Sequence, residues 1–138
     1  MKKLLSLLLS LALVFSVLAP ATFAADAEDT PQPFYVRIAT FNIDFDIASD
    51  GKSTCYSKVT SAYLTDTVDV TMELQRVNNG DWETVKTWTG SGTRQVSLDK
   101  IWYVLSGYTY QLCITAEVYD ANGNLKETET EYSTLIKY

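Results

Sequence analysis

Val68-Asp69-Val70-Thr71-Met72-Glu73-Leu74-Gln75 alternates apolar and polar residues without a break, and Asn79-Gly80 follows shortly after. Alternation at period two marks a strand with one buried face and one wet face. An Asn-Gly pair supplies two residues able to hold φ above zero, which a two-residue hairpin turn demands. The chain is therefore predicted to reverse at 79–80 and return as a second strand from Trp82 to Thr89.

The same reading extends outward in both directions. Upstream, Phe41, Ile43, Phe45 and Ile47 alternate with Asn42, Asp44 and Asp46. Asp50-Gly51-Lys52 turns the chain, and Thr54 to Thr60 follows with Cys55, Ser57 and Val59 on one face. Downstream, Gly90-Ser91-Gly92 reads as a loop and Arg94 to Leu98 as a fifth strand. Tyr110, Leu112, Ile114, Ala116 and Val118 alternate with Gln111, Thr115 and Glu117 as a sixth. A turn at Asp120 to Asn124 precedes a last strand from Leu125. No window carries the 3.6-residue period of an amphipathic helix. Seven short strands with regularly spaced turns predict an all-β fold, a single antiparallel β-sandwich over residues 34–138.

Leu105-Ser106-Gly107-Tyr108-Thr109-Tyr110-Gln111-Leu112 resembles the tyrosine-corner stretch of immunoglobulin and fibronectin type III-like domains. There a tyrosine ahead of the sixth strand caps backbone of the preceding loop through its hydroxyl. The usual proline is missing here and the Leu-to-Tyr spacing is one residue shorter. The domain is also similar to small secreted immunoglobulin-like proteins of Gram-positive gut bacteria, an uncharacterised family. It shares with them Leu74-Gln75, Asn79-Gly80-Asp81-Trp82 and Gly107-Tyr108-Thr109-Tyr110. The resemblance implies the sandwich and leaves activity open.

The N-terminus carries a different signal. Met1-Lys2-Lys3 precedes an apolar run from Leu4 to Ala19, then Pro20 and the small-residue exit Thr22-Phe23-Ala24. This is the pattern of a secretory signal peptide, residues 1–24, cleaved before Ala25. Residues 25–33, acidic and proline-bearing, read as a flexible leader. A secreted protein with no membrane attachment after cleavage is expected. Removal of Lys2 and Lys3 but no acid leaves nine basic residues against 17 acidic, a net charge of −8. Nucleic acid and anionic lipid are poor partners for such a surface.

The chain has no histidine. That removes the commonest general base, the histidine-dependent nucleophile systems and the usual zinc ligand. Asp44, Asp46 and Asp50 suggest a calcium loop, yet they read better as the solvent face of a strand and its turn. Glu127, Glu129 and Glu131 alternate with Thr128 and Thr130 as one wet face would. No catalytic residue, metal or cofactor is expected, and the protein is read as not an enzyme.

Cys55 and Cys113 fall on the second and sixth strands. By parity Cys55 points inward with Val59, while Cys113 lies with Gln111 and Thr115 and points to solvent. Side chains on opposite faces cannot meet the geometry of a disulfide, so two thiols are expected, one buried and one exposed. A bulge in either strand would reverse this.

The tryptophans are the remaining candidates. Trp82 and Trp88, six apart in one strand, are expected to share a face. A two-residue turn pairs Leu74 with Val85 and sends both outward. A three-residue turn sets Met72 against Lys86 and buries Trp88. The first register is preferred, because it does not bury a lysine. It gives an outer platform of Trp82, Trp88 and Tyr119 as candidate ligand-binding residues, suited to stacking on sugars or meeting a protein. The competing reading lays both tryptophans over the end of the core. The expected function is a secreted, non-catalytic extracellular module that binds a glycan or a protein. The alternative is an adhesion or structural surface domain with no small ligand.

Overall fold

A computed structural model describes residues 35–138. The expected signal peptide and leader lie outside the described residues. Eight strands follow one another: β1 (Ile38–Ile47), β2 (Lys52–Ser61), β3 (Thr67–Asn78), β4 (Asp81–Thr93), β5 (Gln95–Tyr103), β6 (Thr109–Tyr119), β7 (Leu125–Tyr132) and β8 (Ile136–Lys137). They form two antiparallel sheets, one ordered β1-β2-β5 and the other β4-β3-β6-β7, with β8 pairing on β6. The expected antiparallel β-sandwich is what forms.

Period-two patterning places the core. Val68, Val70, Met72 and Leu74 of β3 and Leu112, Ile114, Ala116 and Val118 of β6 are buried. They pack with Cys55 and Val59 of β2, Phe45 of β1, and Val96 and Leu98 of β5. Removing such side chains from water is the main favourable contribution to folding.

Tyr110 closes one end of this core. It is almost wholly buried. Its hydroxyl donates to the Leu105 carbonyl at 2.8 Å and accepts the Leu105 N–H at 3.2 Å. The tyrosine capping expected from the sequence is therefore in place despite the shortened spacing.

Two elements differ from expectation. Gly90-Ser91-Gly92 continues β4, where a loop was predicted. A Cβ on Gly90 would sit 2.9 Å from Leu98 Cδ2, and one on Gly92 would sit 2.5 Å from the Gln95 carbonyl oxygen. These glycines mark where the edge of one sheet closes on the edge of the other, not a break in the strand. The last strand also divides. Ser133 interrupts it, its Oγ accepting the Leu112 N–H in place of a backbone carbonyl, before β8 resumes pairing.

The glutamates of β7 also depart from the wet-face reading. Glu127, Glu129 and Glu131 pair with Val118, Ala116 and Ile114, so they stand on the inward-facing side of an edge strand. Glu127 accepts the N–H groups of Val36, Arg37 and Ile38 at 2.7–2.8 Å, and Glu131 accepts the Tyr35 hydroxyl at 2.7 Å. The segment entering β1 supplies donors that sequence periodicity cannot register.

Candidate functional site

The β3–β4 hairpin decides where the tryptophans go. Asn79 and Gly80 both hold positive φ, 52° and 92°, and the turn has two residues. Val77 pairs with Trp82, Arg76 with Glu83 and Gln75 with Thr84, as the preferred register requires. The register then shifts: Leu74 pairs with Lys86, Glu73 with Thr87 and Met72 with Trp88. A β-bulge at Val85 inserts one residue and moves everything beyond it to the other face.

Trp82 and Trp88 therefore occupy opposite faces, and the expected shared platform does not form. Trp88 packs against the core and meets Trp102 edge-to-face, ring centroids 6.4 Å apart. Lys86 accompanies it on the inner side without being buried, because an edge strand lets its ammonium reach over the Trp102 ring at 4.8 Å. Tyr119 pairs with Thr67, at the far end of β3 from Val77. At about 3.3 Å per residue it stands roughly 30 Å from Trp82 along the sheet. Its hydroxyl is taken by Glu117 at 3.1 Å.

What surrounds Trp82 is a different set of residues on the outer face of the β4-β3-β6-β7 sheet. Trp82 (42% exposed) and Tyr132 (57% exposed) flank an open cleft of about 450 Å³ with Gln75 and Gln111. Gln111 is 7% exposed, and its Nε2 donates to Gln75 Oε1 at 3.0 Å. Gln75 Nε2 in turn donates to Glu73 at 3.3 Å, and the same carboxylate accepts the Thr84 hydroxyl at 3.2 Å. A carboxylate accepts only, so Glu73 fixes the direction in which both amides are strung. The result is two exposed aromatic rings and an oriented amide pair between them, which can offer apolar faces and hydrogen bonds together.

Tyr132 and the glutamines were not among the expected site residues. Tyr132 belongs to a strand that, among the described residues, pairs only with β6, so nothing near it in the chain points to Trp82. Gln75 and Gln111 sit at outward positions of their strands. Only the β3–β6 register, which sets them opposite each other, makes them a pair.

One of the two thiols, Cys113, adjoins this region. Both cysteines are free. Cys55 is buried on the inner face of β2, as expected, and burial pushes its thiol up. Cys113 does lie on the outer face, but it is 7% exposed and not open to solvent. It pairs with Glu73 on one side and Tyr132 on the other, and these larger side chains roof it. Burial raises its thiol as well. A protonated thiol is a poor nucleophile and metal ligand.

The chain matches no protein-family model, and no curated protein matches it.

Proposed function

We propose that this protein is a secreted, non-catalytic extracellular module that binds a glycan in the cleft between Trp82 and Tyr132. The observation that carries this reading is the pair of exposed rings bounding an oriented Gln75–Gln111 amide pair. Pyranose rings present apolar C–H faces and equatorial hydroxyls, and stacking plus amide hydrogen bonds recognises both at once. Absence of histidine from the chain supports a binding role over a catalytic one. The Met1–Ala24 signal-peptide pattern supports export. The packing of a three-stranded antiparallel sheet on a five-stranded one and the Tyr110–Leu105 cap support kinship with immunoglobulin and fibronectin type III-like domains, including the small secreted proteins it resembles.

The test is retention of the purified protein on a broad glycan and mucin array, with Trp82→Ala, Tyr132→Ala and Trp88→Ala in parallel. Losing a stacked ring is expected to weaken binding about tenfold, the scale of a 1.4 kcal/mol contact. Trp88→Ala, altered on the inner side, should cost stability and leave glycan retention unchanged. Retention by Trp82→Ala equal to the native protein would sink the reading, as would no retention of any glycan.

A further inference from the structure

Among the described residues, β5 is an edge strand of its sheet and pairs only with β2. Which backbone groups it leaves free follows from the ladder. Val104 N–H donates to Gly51 and Ser61 N–H to Arg94, and both contacts share the register that pairs Ser53 with Trp102 and Cys55 with Lys100. In an antiparallel ladder, hydrogen-bonded pairs alternate with pairs that make no such bonds. Lys100 and Trp102 therefore direct their N–H and C=O groups to β2. Asp99, Ile101 and Tyr103 direct theirs to the open edge.

The side chains along this stretch are unusually apolar for an edge. Ile101 is 52% exposed, Trp102 36% and Tyr103 65%. Asp99, Ile101 and Tyr103 stand on the outer face, Lys100 and Trp102 on the inner. A pairing strand would take up both the free ladder groups and this apolar row.

We propose that β5 is a homodimerisation edge, pairing antiparallel with β5 of a second copy about a two-fold axis through Ile101. In that register the free backbone groups of Asp99, Ile101 and Tyr103 meet those of Tyr103, Ile101 and Asp99 in the second copy. The side chains are self-complementary. Ile101 faces Ile101, each Asp99 carboxylate faces a Tyr103 hydroxyl, and each Lys100 lies across from a Trp102, against which its stem can pack. Centring the pair on Asp99 would instead oppose two carboxylates. The contact is isologous, so it closes at two copies. It lies on a different sheet from the Trp82 cleft and does not depend on it.

Sedimentation equilibrium across a wide concentration range tests this. The purified protein should show a reversible monomer–dimer equilibrium. Ile101→Lys and Ile101→Glu should each weaken it at least tenfold by opposing like charges across the axis. An equimolar mixture of the two should restore dimers, since only the mixed pair sets lysine against glutamate. Lys100→Glu, at a half-buried position, should weaken it too. A protein monomeric at every concentration would overturn the proposal and leave the edge to an extended segment of another protein. Unchanged dimerisation of either Ile101 variant, or failure of the mixture to restore it, would overturn it as well.

Discussion

Tyr110 shows how much one side chain can settle. Its hydroxyl serves both backbone groups of Leu105 from a buried position. Tyr110→Phe should therefore lower unfolding free energy by about 1–3 kcal/mol, two net hydrogen bonds plus an orphaned pair of loop groups. Urea denaturation would measure it, and a change near zero would mean that water replaces the hydroxyl at no cost. This role was legible through the resemblance of residues 105–112 to a tyrosine-corner stretch, a resemblance one sequence can carry because Leu105 and Tyr110 are five residues apart. Cys113 was half legible. Parity gave its face correctly, but its cover comes from Glu73 and Tyr132, which lie 40 residues upstream and 19 downstream in the sequence.

At the scale of an element, β4 carries the largest departures from expectation. Its first half obeys the two-residue turn, and its second half is displaced by the bulge at Val85. Burying an unpaired ammonium is costly, which favours a register that keeps Lys86 off the inner face. On an edge strand a lysine can face inward and still deliver its ammonium to solvent and to Trp102. The Gly90–Gly92 stretch reads as a loop in the sequence, since a single sequence cannot separate glycine that bends a chain from glycine that admits a neighbour. The distinction can be measured. Gly92→Ala places a Cβ 2.5 Å from backbone, at the Gln95 carbonyl, whereas Gly90→Ala meets the movable tip of Leu98. Thermal unfolding should show Gly92→Ala to be the more destabilised, by about 2–3 kcal/mol against about 1 for Gly90→Ala. Equal effects would argue that β4 and β5 can part without cost.

Across the described domain, the entry segment works as a clasp. Glu127 on β7 receives three consecutive N–H groups from Val36 to Ile38. Arg37 reaches the opposite way, to the buried carboxylate of Asp66 at 2.6 Å, and stacks over Tyr63. Asp66 also accepts the Ser61 hydroxyl at 2.7 Å. One short segment thus ties the edge of one sheet to the loop leaving the other. Glu127→Ala strands three donors and should cost about 3 kcal/mol, with faster amide exchange confined first to residues 36–38. A loss within about 0.5 kcal/mol, the scale of an ordinary surface substitution, would show the clasp to be idle. None of this was legible in advance, because an acid in an alternating strand reads as solvent-facing until its donors arrive from elsewhere.

Sequence alone determined what depends on period and on neighbours in the chain. The antiparallel sandwich, the Asn79-Gly80 turn and the buried rows of β3 and β6 follow from alternation and short turns, and the Tyr110 cap is what the resemblance of residues 105–112 to a tyrosine corner implies. Tertiary structure alone decided which tryptophan is available and what stands beside it. One inserted residue at Val85 turns Trp88 inward and leaves Trp82 outward, and pairing through β6 brings Tyr132 and the two glutamines to it. The physical reason is that a strand fixes only alternation. Face is set by register, and register is an agreement between strands distant in sequence.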